Sequence, residues 1–153
     1  MSLTKQIIDA TTDIFTTMVM MEVTPGEPIT GRVNPFHASI SGMVGMAGSH
    51  KGMLAIHIPE PVAMAITSNF LGLEVDAINE DVQDAIGELA NMLGGNVKSF
   101  LTETGSDIKL SLPSTIFGQE YTFQCQDEVE TIVVPFTSSD GKFLVELRLQ
   151  SEA

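Results

Sequence analysis

The segment from Asp84 to Asn96 carries an acid and an amide at a spacing that brings side chains together on a helix. Glu88 and Asn91 are three residues apart. Because an α-helix turns roughly 100° per residue, side chains at this spacing lie one above the other on the same face. A carboxylate can pair with a cation, and a carboxamide oxygen can orient a water molecule without titrating. The pair is therefore predicted to enter one small target together.

The period of the neighbouring apolar residues predicts the helix that positions this pair. They recur at intervals of three and four, which is the pattern of a helix with one buried face: Val82, Ile86, Leu89, Leu93, Val97 and Phe100. Asn79 is the predicted N-cap, with Ile78 packing from outside, and Gly105 is the predicted stop. We expect a helix over residues 79–103.

Four further residues on or beside the polar face of this helix are predicted to contact a partner: Asp84, Gly87, Gly95 and Lys98. A glycine inside a helix costs about 1 kcal/mol relative to alanine, so the glycines need a compensating role. Beside Glu88 and Asn91, a missing side chain would let another macromolecule's backbone approach closely. Alternatively, the glycines allow the helix to pack tightly on a sheet. For Gly94 both roles remain open.

Length, charge and cysteine content limit the class of protein. The chain has 153 residues, which fits a single domain over residues 1–153. The single cysteine, Cys125, and an N-terminus without a signal-peptide pattern predict a cytoplasmic protein that crosses no membrane. A formal net charge of −13 argues against nucleic acid or an anionic membrane as a partner. A basic or mixed-charge protein surface remains compatible.

The order of the predicted elements indicates an α+β fold. We expect an antiparallel or mixed β-sheet of about six strands with two long helices packed on one face. Helices are predicted over 3–21, 60–71 and 79–103, and strands around 28–34, 36–47, 52–59, 108–117, 131–137 and 142–149; residues 121–126 are left as a short strand or loop.

Two halves of the chain have similar patterns, each with a long helix followed by three strands. Residues 52–58 and 142–148 occupy corresponding places, which predicts a pseudo-duplicated fold. The surface of the first helix that corresponds to Glu88 and Asn91 carries Asp13 and Thr16. We therefore expect one working site per chain.

Other reactive residues form no pattern that indicates chemistry. His37, His50 and His57 lack the spacing of metal ligands, so no metal site is predicted. Cys125 has no base that the sequence identifies. An independent small-molecule hydrolase would need a nucleophile and a base together, and the sequence shows no such pair.

The run Glu88-Leu-Ala-Asn91-Met-Leu-Gly-Gly95-Asn96-Val-Lys98-Ser resembles the signature of the CheC/CheX/FliY chemotaxis phosphatases. The family pattern is Asp or Ser, three residues, Glu, two residues, Asn, and Asp84, Glu88 and Asn91 match it. CheC-like members usually carry this motif twice. Its single occurrence here resembles the CheX branch.

The resemblance implies hydrolysis of the aspartyl phosphate on a CheY-type response regulator. It makes Glu88 and Asn91 the catalytic pair: Glu88 would bind a lysine of the receiver, and Asn91 would orient the attacking water. No cofactor of its own is implied, because the phosphorylated receiver supplies Mg²⁺. The resemblance also implies a homodimer. The alternative is a non-catalytic chemotaxis adaptor or a flagellar-switch-like interaction module.

Overall fold

The helices and strands lie in the part of the chain that the computed structural model describes, residues 3–29, 36–48, 51–72, 74–101, 108–121 and 129–150. The helices are α1 (Leu3–Ile14), α2 (Glu60–Leu71) and α3 (Glu80–Leu101), and a π-helical turn, Phe15–Val19, continues α1. The strands are β1 (Thr24–Pro25), β2 (Phe36–Gly48), β3 (Gly52–Pro59), β4 (Ile108–Leu110), β5 (Ser114–Tyr121), β6 (Val129–Ser138) and β7 (Gly141–Gln150).

The strands form one antiparallel sheet with a two-fold pattern. Its order is β1-β6-β7-β3-β2, and both β4 and β5 pair with the outer edge of β2. At the centre β3 pairs with β7, so that Ile56 lies opposite Val145. From this centre outward, each side has a long strand, its hairpin partner and a shorter edge. This order confirms the predicted α+β class and the pseudo-duplicated halves.

The helices cover one face of the sheet and bury a continuous apolar core. Helix α3 packs on β2 and β3, while α1 and α2 pack against its sides. The predicted apolar stripe of α3 faces inward: Val82, Ile86, Leu89, Leu93 and Val97 are buried, and Phe100 is partly buried against the same core. Within the described residues no helix has the length and apolar content that a membrane crossing requires.

Several predicted boundaries differ from the observed ones. The first helix was expected to reach Met21, but it ends with the π-helical turn, after which Met20 has a positive φ of 61°. A strand was expected over 28–34. Its first two residues, 28 and 29, lie in no strand, although the Ile29 N–H donates to the Val133 carbonyl, and the rest of the predicted strand is not described; an extended pair lies earlier, at Thr24–Pro25. Residues 30–35 lie outside the described residues, as do Gly105 and Cys125.

The predicted strand over 108–117 is interrupted. Pro113 has no N–H to donate to a sheet, and the chain leaves the ladder between β4 and β5. Ser111 compensates at this point, because its backbone N–H donates to the Gly45 carbonyl and its hydroxyl accepts from the Gly45 N–H, both at 2.9 Å. The edge of β2 is therefore covered by two strands in succession.

A close approach between α3 and β2 fixes how deeply the helix sits. A Cβ atom placed on Gly42 of β2 would lie 2.8 Å from the Ile86 carbonyl oxygen and 3.2 Å from the Ala90 Cβ. These distances are shorter than ordinary contacts, so only glycine fits at this position without movement. Ile86 and Ala90 lie on the inner face of the same turns that carry Glu88 and Asn91 outside.

We expect Gly42→Ala to lower the free energy of unfolding by about 1–3 kcal/mol, because the added methyl group overpacks against the α3 backbone. Urea denaturation measures this change. Gly45→Ala is the matched control on the same strand, since its nearest neighbour would lie at an ordinary 3.4 Å. Equal urea midpoints for the two variants would contradict this prediction, because α3 would then accommodate the added methyl group without loss of stability.

Candidate functional site

The start of α3 is fixed by a side-chain cap. Asn79 Oδ1 accepts a hydrogen bond from the Val82 N–H at 3.1 Å, which confirms the predicted N-cap. Glu80 and Asp81 lie in the first turn, where the positive end of the helix dipole stabilises them. Ile78 packs against the core just before the helix. The outer side chains of α3 are thus held on a well-anchored element.

Glu88 and Asn91 lie on the outer side of α3, away from the sheet. Glu88 is exposed, as is Asp84 one turn earlier, and Asn91 is half-buried. Within the described part of the chain, none of these three side chains takes part in a hydrogen bond or an ion pair. The helix is continuous through both positions, so the carboxylate and the carboxamide stand one turn apart on the same surface.

The other predicted contact residues have different surroundings. Gly95 is half-buried, and a Cβ atom there would meet nothing within 4 Å. Lys98 is half-buried on the same side of α3. Gly87 is buried instead, and a Cβ atom there would lie 3.7 Å from both Pro113 and Thr115. This placement differs from our expectation for Gly87, because the missing side chain leaves room for the chain's own β5 region.

Gly94 also faces the interior of the protein. A Cβ atom there would lie 3.5 Å from Val44 of β2, an ordinary contact distance. Of the two roles that the sequence left open, the structure places Gly94 in the packing of helix on sheet.

The corresponding part of α1 has a different geometry. Asp13 and Thr16 are exposed, and the Thr17 hydroxyl donates to the Asp13 carbonyl at 2.7 Å. Thr16 lies in the π-helical turn, where hydrogen bonds run from i to i+5 and the turn is wider than in an α-helix. Side chains three apart no longer stack there as they do on α3. The first half of the fold therefore lacks an equivalent pair.

A groove of about 380 Å³ lies beside Glu88, between the end of α2 and the start of α3. Its lining combines apolar and acidic side chains: Phe70, Leu71, Asp81, Asp84, Ala85 and Glu88. Within the described residues, no group of three or more His, Cys, Asp or Glu side chains is arranged to hold a metal ion.

A second polar cluster, which the sequence did not reveal, lies on the sheet face opposite the helices. Ser41 Oγ is 2.6 Å from His57 Nδ1, and His57 Nε2 is 2.8 Å from Glu146 Oε1. Arg148 Nε donates to Glu146 Oε2 at 2.5 Å. These residues are far apart in sequence and meet only through the pairing of β2 with β3 and of β3 with β7. No local spacing signals such a cluster.

Serine, histidine and an acid hydrogen-bond in the order seen in a hydrolase triad. This cluster differs from a hydrolase triad because it is buried. Ser41 is 0% exposed and His57 is 2% exposed. A nucleophilic serine must reach its substrate, and the Ser41 side chain is fully buried. The polar atoms satisfy one another when the Ser41 hydroxyl donates to Nδ1 and the Nε2 hydrogen is donated to Glu146. The cluster is a structural link between three strands.

Similarity to known proteins agrees with this fold. The family model for the chemotaxis phosphatase CheX matches residues 40–137, which is more than half of the chain. The chain therefore belongs to the chemotaxis phosphatase CheX family. The match contains most of β2 and all of β3, α2 and α3, including both Glu88 and Asn91.

Solved structures of relatives have the same architecture. The chemotaxis protein CheX from Desulfovibrio desulfuricans has a TM-score of 0.84 and 30% identity, and the match covers 95% of this chain and 97% of that one. CheX in a CheX–CheY–BeF3–Mg²⁺ complex from Borrelia burgdorferi has a TM-score of 0.82 and 23% identity, and the match covers 98% of this chain and 99% of that one. At this identity the similarity shows only a shared fold.

A curated relative is more distant in sequence. The CheY-P phosphatase CheX of Thermotoga maritima is 26% identical over 101 residues, which is 65% of this chain. The chain also spans 65% of the length of that relative.

The buried cluster leads to a prediction about acid stability. Burial raises the pKa of the Glu146 carboxyl, but the hydrogen bonds from His57 and Arg148 and the positive charge of Arg148 outweigh it, so the pKa is lowered overall. A lowered pKa in the folded state stabilises the fold above the unfolded value of about 4.3. This contribution is lost as the pH falls through the folded value.

We expect Glu146→Gln to lower the free energy of unfolding by about 2–4 kcal/mol at neutral pH, because it leaves Arg148 and His57 without the carboxylate. The difference in free energy of unfolding between the variant and the wild type should become smaller as the pH falls below about 4. Urea denaturation at several pH values measures both effects. Glu130→Gln, an exposed acid on β6, is the control and should change little. The same loss at every pH would contradict the ionic role.

Proposed function

We propose that this protein hydrolyses the aspartyl phosphate of a CheY-type response regulator. Membership of the CheX family supports this function, as does the name of the Thermotoga maritima relative. The observation that carries the proposal is the placement of Glu88 and Asn91 on the outer face of α3, at the positions that match the family motif. Both side chains are accessible to a partner and are presented by a rigid helix.

The division of labour follows from the chemistry of phosphoryl transfer. Transfer to water requires a nucleophile in line with the leaving oxygen and positive charge on the other phosphoryl oxygens. In this proposal the receiver supplies the phosphorylated aspartate, a lysine and Mg²⁺. The phosphatase then has to add an oriented water molecule and hold it there. No metal or cofactor of the phosphatase itself is required.

Asn91 is the residue we assign to the water. Its amide oxygen accepts a hydrogen bond from the water, and because an amide does not titrate near neutral pH, its role is orientation rather than proton removal. Its half-buried position restricts its rotamers, which favours one direction for the hydrogen bond.

Glu88 is the residue we assign to docking. Its exposed carboxylate lies one turn before Asn91 and can pair with the lysine of the receiver. This pairing sets the depth and rotation at which α3 enters the receiver, and so it also positions Asn91. Asp84, another turn earlier, supports the same interface. Gly95 and Lys98 continue the contact surface toward the end of the helix.

We also propose a homodimer formed through the β5 edge of the sheet. Within the described residues β5 pairs with β2 on one side only. It exposes Ile116 and Phe117, each 42% accessible, on opposite faces of this edge. An open edge with apolar side chains favours strand pairing with a second copy. The predicted location remains the cytoplasm.

We expect Asn91→Ala to reduce receiver dephosphorylation by about 100-fold or more while largely preserving binding, because it removes the group that orients the water. Glu88→Ala should weaken both turnover and binding. Phosphate release from a receiver phosphorylated with a small acyl phosphate measures turnover, and titration with the BeF3-activated receiver measures binding. Gln83→Ala, an exposed position on the same helix, is the control.

Wild-type rates from the Asn91 variant would remove the catalytic assignment. A wild-type protein that binds the activated receiver without accelerating phosphate release would instead support the non-catalytic adaptor. Release of phosphate from a small acyl phosphate without any receiver would support a small-molecule hydrolase.

A pair of glycine variants separates partner contact from internal packing. Gly95→Ala and Gly87→Ala should each raise the free energy of unfolding by up to about 1 kcal/mol, since neither methyl group meets a close contact. Only Gly95→Ala should weaken receiver binding, because Gly87 faces its own chain. Chemical denaturation and receiver titration provide the two readouts. A loss of binding in the Gly87 variant alone would reverse the assignment.

A further inference from the structure

We propose that the groove between α2 and α3 binds an apolar side chain of the receiver together with a neighbouring lysine or arginine. This inference rests on the proposed function and extends the docking site beyond the family motif. It adds Phe70, Leu71 and Asp81 as determinants of which receiver is bound. They are separate from the residues assigned to the water.

The apolar part of the groove comes from the end of α2. Leu71 is the last residue of that helix and is 45% exposed, and Phe70 beside it is half-buried. Helix α2 ends at this point because Gly72 has a positive φ of 68° and donates its N–H to the Ser68 carbonyl. Ala85 of α3 completes the floor. An exposed leucine over such a floor gains free energy when a partner covers it.

The acidic part of the groove comes from the first turns of α3. Asp81, Asp84 and Glu88 all line it, and all three are exposed. Their spacing of three and four residues places them along one side of the helix. Among the lining residues that the structure describes there is no lysine or arginine. Three carboxylates beside an apolar floor favour a segment in which an apolar side chain is accompanied by a cation.

The receiver is the occupant that these features favour. Glu88 lines the end of the groove and is also the residue assigned to receiver docking, so one partner would cover both. A second copy of this chain fits less well, because with 20 acidic and 7 basic residues it would bring further negative charge to an acidic groove.

Two variants test the groove with matched controls. Leu71→Ser should raise the dissociation constant for the BeF3-activated receiver about fivefold to tenfold, through the loss of apolar contact. Asp81→Asn should raise it about twofold to threefold and reduce its dependence on salt. Met18→Ser, 52% exposed beside α1, and Asp9→Asn on the outside of α1 are the controls and should leave binding unchanged.

The kinetic readout separates this role from catalysis. In phosphate-release assays each groove variant should raise KM by about the factor by which it raises the dissociation constant and leave kcat unchanged, since neither side chain reaches the reacting atoms. Thermal unfolding of each variant shows whether the fold is intact. If Leu71→Ser does not fold, Asp81→Asn and its salt dependence decide the question alone.

Three outcomes overturn the inference and can be told apart. If both groove variants bind the receiver as the wild type does and Asn91→Ala is inactive, the groove has no part in receiver binding, while the proposed function is still supported. A wild-type protein that binds no activated receiver would remove both. A change of mass by light scattering in Leu71→Ser, without a change in receiver binding, would assign the groove to a second copy of the chain.

Discussion

The close contact between α3 and β2 is the constraint on which the rest of the site depends. The missing side chain of Gly42 lets the turns with Ile86 and Ala90 rest directly on the sheet. Once this face of α3 is fixed, the opposite face has no freedom to rotate. Glu88 and Asn91 point outward because their neighbours point inward, and their mutual geometry is therefore a property of the core. A site held in this way needs few polar contacts of its own.

The two-fold pattern of the sheet explains why the fold offers two helix faces and uses one for this pair. Helices α1 and α3 precede equivalent halves, and both pack on the same face of the sheet. They differ at the equivalent turns, because α1 continues into a π-helical turn at Phe15–Val19 while α3 remains α-helical. The wider turn changes which side chains stack. The duplicated architecture thus retains its packing, while the pair of polar side chains belongs to α3.

The sequence predicts best where one element obeys one period. Helix α3 and its two faces follow from apolar spacing alone, and the N-cap follows from Asn79. Features that depend on two distant elements were missed or misjudged. The link from His57 to Glu146 arises from the register of β3 with β7. The surroundings of Gly87 depend on where Pro113 turns the chain, and a helical period cannot distinguish a chain's own loop from a partner.

Under the proposed function, charge also limits how this protein can recognise a phosphorylated receiver. A chain with a net charge of −13 is repelled by a phosphoryl group at long range, so attraction has to come from cations close to the contact. Glu88 alone would need a cation at one point only. Asp81 and Asp84 line the groove and would favour further cations on the partner. Receivers with the same phosphorylation pocket can differ in the residues that would face this groove. Discrimination between receivers would then reside beside the reacting atoms, on surfaces that can vary without altering the orientation of the water.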